Sequence, residues 1–256
     1  MTSSVLTSYQ PAYVAISFLI SIIGSFVALT AATRIRKADG SLSLINTVTA
    51  GVALGGIGVW AMHFIGMLAL DLDLASSYSL LETAISLGAA ILASSLALGF
   101  VAKAPERLAR LLGAGLLLGL GVVFMHYLGM YGMKFGGYIE WDIGLVGLST
   151  LIAVLAATAA LWLAFNTPSL AGRVLAALVM GVAVCAMHYT GMAAAEFVCT
   201  TPNRGAIPQG FGYMSSFGLP TLVTIVTFLM VCIISVDQLF QRTLAVTGRS
   251  ANTATR

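Results

Sequence analysis

Charge is what this sequence has least of: 8% of its 256 residues are Asp, Glu, Lys or Arg, against about 25% in a soluble domain. So dilute a set cannot solvate a globular surface. A net charge of +3 with no basic stripe also excludes nucleic acid as a partner. Cysteine is scarce too. Cys185, Cys199 and Cys232 form no CxxC pair and leave an odd thiol, which excludes a disulfide framework. The opening "MTSSVLTSYQPAYV" lacks the basic start and short apolar core of a cleaved signal peptide. No nucleophile elbow, phosphate-binding glycine loop or paired carboxylate system appears, so no catalytic residue is expected within the chain. Histidine occurs three times in all.

What remains is apolar. The chain is 59% hydrophobic with a mean hydropathy of +0.99, and its long apolar runs lie near 11–33, 43–70, 79–101, 108–133, 141–165, 173–196 and 217–240. Each is about long enough to cross a bilayer as a helix, roughly 20 residues. The expected fold is therefore an all-α integral membrane protein of seven transmembrane helices, with the lipid bilayer as its first partner. Residues 1–240 form the membrane domain and 241–256 a flexible cytoplasmic tail. The connections are short except 197–216, whose prolines and glycines read as a surface loop. Ten of the twelve Lys and Arg fall on one side of the seven spans, leaving Lys134 and Arg204 on the other. The rich side is cytoplasmic by the positive-inside rule, which puts the N-terminus outside and the C-terminus inside.

The three histidines share one setting. "GIGVWAMHFIGM" at 56–67, "GLGVVFMHYLGM" at 119–130 and "GVAVCAMHYTGM" at 181–192 follow one pattern, G-x-[GA]-V-x-x-M-H-[FY]-x-G-M. His63, His126 and His188 are 63 and 62 residues apart, a period of two spans and two connections. The repeating unit is then a helical hairpin used three times, with the seventh span left over. Spans 2, 4 and 6 run the same way, each with its histidine near the outer end. The pattern's glycines are expected to let helices approach closely.

Residues four apart share a helix face. His63 therefore stacks with Met67, His126 with Met130 and His188 with Met192, while Met62, Met125 and Met187 flank that stripe. One turn further, the stripe reaches Asp71, Lys134 and Glu196. Imidazole and thioether together favour copper, Cu(I) above all, and ionisable groups inside a membrane mark function by default. Nine such donors suit one ion or several. Cys185 lies three residues before His188 but has no counterpart in the other copies. Glu82, Asp237 and Asn46 read as polar groups at span ends, and Phe64, Tyr127 and Tyr189 as packing beside the histidines.

At these residues the chain resembles the MHYT domain family, named for a Met-His-Tyr-Thr pattern: "MHYT" stands at 187–190, "MHFI" at 62–65 and "MHYL" at 125–128. The resemblance covers about residues 9–240. It implies a sensory module of the bacterial inner membrane that binds copper through the His and Met residues near the outer face. Through that copper it implies sensing of a diatomic gas such as O2, CO or NO, or of redox state. It further implies a cytoplasmic output domain or partner of the cyclic-di-GMP type. Two other functions fit the same donors: copper transport or storage, and a copper or haem redox enzyme.

Overall fold

The computed structural model describes residues 3–167 and 169–254. Among these residues, seven helices are long and apolar enough to cross a membrane: span 1 (Pro11–Ala32), span 2 (Leu44–Ala69), span 3 (Leu80–Ala102), span 4 (Leu108–Gly132), span 5 (Ile143–Asn166), span 6 (Leu170–Ala193) and span 7, whose apolar part is Ser216–Gln241. The protein is a multi-pass membrane protein. Span 7 is a single helix from Leu219 to Ala254, so residues 241–254, read from sequence as part of a tail, continue its turns; the last two residues of that tail lie outside the described ones.

Spans 1 to 6 close into a ring, each packed on its sequence neighbours and span 6 on span 1. Spans 2, 4 and 6 also touch one another across the middle. Span 7 stands outside the ring and packs chiefly on span 2. Span 2 is thereby enclosed. In its most apolar stretch 83% of residues are buried, against 22–39% in the other six spans.

Small residues permit this enclosure. A Cβ on Gly24 of span 1 would stand 2.3 Å from the backbone nitrogen of Gly58 in span 2. One on Gly56 would stand 2.4 Å from the Met230 sulfur of span 7. Between Val52 and Ala61 span 2 is wound as a π-helix, a form rare beyond a single turn. At the end of the bundle opposite the histidines, span 7 is tied in by polar contacts. Thr49 donates to the Asp237 carboxylate at 3.0 Å, Gln241 donates to the same carboxylate, and Arg34 donates to Gln238. Asn46 bonds the span 1 end, giving its amide to the Arg34 carbonyl at 3.1 Å.

The all-α expectation needs one correction, because among the described residues eight short strands lie at the histidine end. β2 (Thr7–Tyr9), β4 (Ser76–Ser79) and β6 (Gly137–Trp141) lead into spans 1, 3 and 5. β3 (Leu70–Leu72), β5 (Met133–Phe135) and β7 (Ala195–Cys199) follow spans 2, 4 and 6. They pair antiparallel as β2 with β3, β4 with β5 and β6 with β7. β1 (Ser3–Ser4) adds to β7 and β8 (Tyr213–Ser215) to β4. The region read as a surface loop thus contributes β7 and β8 at its two ends. Asp71, Lys134 and Glu196 lie in these strands, since the helices end at Ala69, Gly132 and Ala193. They therefore form no further turn of the His/Met stripe. Lys134 pairs with Glu82 at 3.2 Å and Arg204 with Asp73 at 3.0 Å, while Asp142 caps span 5 by accepting from the Leu145 N–H at 3.1 Å.

The span 1–span 2 contact is tested by Gly24→Ala, which must push two backbones apart. A loss of roughly 1–3 kcal/mol is expected, seen as an earlier thermal transition in detergent. Gly88→Ala, whose Cβ would meet nothing within 4 Å, should leave that transition in place.

Candidate metal centre

The ring brings the three histidines to one point. All three are fully buried. Their Nδ1 atoms form a triangle with sides of 3.1 Å (His63–His126), 3.1 Å (His63–His188) and 3.3 Å (His126–His188). The rings stand nearly perpendicular in each pair, at 76°, 83° and 90°, with centroids 4.9–5.1 Å apart. They form a three-bladed propeller. Among the described residues this is the one group of three or more His, Cys, Asp or Glu whose ligand atoms gather closely enough for a metal, and Cys185 is not part of it.

Hydrogen bonding alone cannot satisfy such a triangle. A neutral imidazole nitrogen either carries a proton and donates or bears a lone pair and accepts. With two kinds of nitrogen at three corners, at least one side joins two of the same kind. A buried polar group left unpaired costs about 1–3 kcal/mol. A cation among the nitrogens satisfies all three lone pairs at once. Nitrogen ligands of a tetrahedral zinc lie about 2.0–2.1 Å from the ion, which places them about 3.3–3.4 Å from one another. The observed sides are 3.1–3.3 Å, so the donor set fits a first-row ion. A haem does not fit between any two of the rings, since its iron and macrocycle must lie between axial ligands.

The outer ring nitrogens reveal a second level of order. A Cβ on Gly129 would come within 2.3 Å of His63 Nε2, one on Gly191 within 2.3 Å of His126 Nε2 and one on Gly66 within 2.2 Å of His188 Nε2. Each histidine thus lays its ring edge on the glycine of the next motif copy, in a closed cycle. The three Nε2 atoms have no hydrogen-bond partner. These glycines were expected to bring helices together; they do so by admitting a neighbour's imidazole.

The residue after each histidine stacks edge-on against it at 4.8 Å: Phe64 on His63, Tyr127 on His126 and Tyr189 on His188. The tyrosines are themselves anchored. Tyr127 shares a hydrogen bond with Ser149 of span 5 at 2.7 Å, and Tyr189 with Ser17 of span 1 at 2.9 Å. Phe64 has no hydroxyl, and there Trp60 bonds Ser86 of span 3 at 3.1 Å. Sequence reasoning passed over Ser17, Ser86 and Ser149. Each is one of several hydroxyls in its span, and nothing in the sequence sets it apart.

All six motif methionines are buried, none more than 2% exposed. They do not share one place. Met67, Met130 and Met192 floor three separate clefts at the histidine end. Met187 lines a void deeper in the bundle, and Met62 and Met125 are enclosed in spans 2 and 4.

The glycine cycle predicts that Gly129→Ala disturbs a residue of another span. Its new methyl displaces the His63 ring, so metal uptake should fall at least tenfold. Gly147→Ala, with nothing within 4 Å of its Cβ, should retain it. Tyr127→Phe copies the natural Phe64 arrangement and should keep the metal while costing about 0.5–1.5 kcal/mol for one hydrogen bond. Metal content and thermal unfolding, measured together on each variant, separate these outcomes.

Comparison with known proteins agrees with the motif. The profile described as "Bacterial signalling protein N terminal repeat", MHYT, matches residues 56–114, 119–177 and 181–248. These matches begin at the three glycines that open the motif copies. The chain is 39% identical over 237 residues to the bifunctional diguanylate cyclase/cyclic di-GMP phosphodiesterase MucR of Pseudomonas aeruginosa, covering 89% of this chain and 33% of that protein. It is 35% identical over 196 residues to the cyclic di-GMP phosphodiesterase NbdA of the same organism, covering 73% and 24%. With the signaling protein YkoW of Bacillus subtilis the identity is 27% over 229 residues, covering 86% and 28%. The chain therefore spans a third or less of the length of these relatives. No solved structure matches it. The three profile matches cover most of the chain, and it belongs to the MHYT family of bacterial signalling proteins.

Proposed function

We propose that this signalling domain is a copper-binding sensor whose stimulus is a diatomic gas (O2, CO or NO) or a change of redox state. His63, His126 and His188 would hold the ion through Nδ1. Met67, Met130 and Met192 would add thioether donors, with Met62, Met125 and Met187 beside them. The observation that carries this reading is the closed Nδ1 triangle, which hydrogen bonds cannot satisfy and a cation can. Thioether and imidazole donors in the same motif favour Cu(I) over zinc. Bound there, copper would offer an open coordination position for a gas and a one-electron redox change.

In this reading the basic connections face the cytoplasm of a bacterial inner membrane. The histidine end faces outward, and three hairpins (spans 1–2, 3–4 and 5–6) form the repeat. The strand pairing supports that unit, since each pair of spans is joined at the histidine end by its own ladder. Complete burial of the triad keeps bulk water from the donors. The signal would leave through span 2, which carries His63 and is the main contact of span 7. A stimulus acts only if it favours one of two arrangements of these helices. The names of MucR and NbdA attach cyclic-di-GMP synthesis or hydrolysis to proteins similar to this one, which supports an output domain or partner of that type beyond span 7. Transport would call for polar or sulfur stations along the whole path. The inner halves of spans 2, 4 and 6 are nearly all apolar or small, so storage or transport fits less well.

Elemental analysis of detergent-purified protein after Cu(I) loading tests the assignment. Wild type should carry copper, and a His63→Ala, His126→Ala, His188→Ala variant should carry almost none. A copper-free wild type would leave the histidines as packing groups and end the copper reading.

A further inference from the structure

One element of the motif has no role in the triad: the valine four residues before each histidine. Val59, Val122 and Val184 share a helix face with His63, His126 and His188, one turn deeper. All three line one void of about 30 Å³. The void's position follows from that register: it lies directly beneath the propeller, on the side away from the strands. Its remaining walls come from spans 2, 4, 5 and 6 and include Ala153, Ala157 and Met187. Every lining residue is Ala, Val, Leu or Met. None offers a side-chain hydrogen bond, so water gains nothing there.

Size restricts the occupant. At about 30 Å³ the void has room for a small molecule and is far smaller than the roughly 150 Å³ cavity that takes up benzene. Apolar cavities of this kind stay dry and accept xenon and similar solutes. The void also has a side. Its lining is only half-buried at Ala156 of span 5 and at Ala183 and Val184 of span 6. These are the lining residues least covered by protein, and they belong to two spans that pack side by side.

We infer that this void is a binding chamber for a single small apolar molecule of diatomic size, which enters from the lipid between spans 5 and 6 and reaches the histidine triad from below. Apolar gases dissolve readily in hydrocarbon, and this entry meets them without a passage through the end that bears the strands. The alanines of span 5 keep the chamber open; a larger side chain at Ala157 would occupy it. The inference rests on the sensor reading for its purpose, but the chamber exists with or without a metal.

Xenon reads the chamber independently of copper. Crystals of the full chain under xenon pressure should show one xenon atom among Val59, Val122 and Val184, absent in Ala157→Leu. The same variant, loaded with Cu(I) to the wild-type level, should bind CO at least tenfold more weakly by titration of the C–O stretch. Ala157→Val repeats both measurements should the leucine variant fail to fold. No xenon in the wild type, an alkyl tail of lipid or detergent found in the void, or equal CO affinity in filled and unfilled proteins would overturn the inference. If the wild type takes up no copper, the sensor reading fails by itself and the xenon result alone decides the chamber.

Discussion

Three imidazole nitrogens held 3.1–3.3 Å apart in the interior of a membrane protein are the constraint on which the rest of the structure depends. Bringing them together costs each ring its hydration and sets at least two nitrogens of the same kind against each other. The fold meets this with rigidity. Six spans close into a ring, the three that bear histidines meet at its centre, and a glycine receives each ring edge. Ser17 and Ser149 fix the aromatic neighbours from the outer spans. Short ladders then join the spans in pairs at that end.

Much of this was legible beforehand. Seven spans followed from apolar length, and the common depth of the histidines followed from their place in three like-oriented helices. That they converge could not be read, because spacing fixes the face of a helix but not which helix it meets. The glycines illustrate the limit. Gly66, Gly129 and Gly191 were visible as small residues, yet their partners are histidines 65 to 122 positions away in sequence.

The strands were missed for a different reason. "LDLDL" at 70–74 and "YIEW" at 138–141 alternate apolar and polar residues, the signature of a half-buried strand. Each directly adjoins a span whose apolar length dominates any reading of the region. Extending the helical face by one more turn put Asp71, Lys134 and Glu196 on the His/Met stripe, where the helices have already ended. The backbone turns extended at Leu70 and Met133, where pairing with a neighbouring strand replaces the helix's own hydrogen bonds. The same competition explains why the polar groups at this end are spent on local ties such as Lys134–Glu82 and Arg204–Asp73.

The cycle His63 on Gly129, His126 on Gly191 and His188 on Gly66 bears on how the three motif copies change over time. In a tandem array whose units touch only through their ends, each copy can drift by itself. Here a substitution in one copy is felt first by the histidine of another, and compensation must arise on a different span. The copies are therefore held alike by mutual contact as well as by descent. Divergence is left to positions outside the cycle, as Phe64 against Tyr127 and Tyr189 already illustrates.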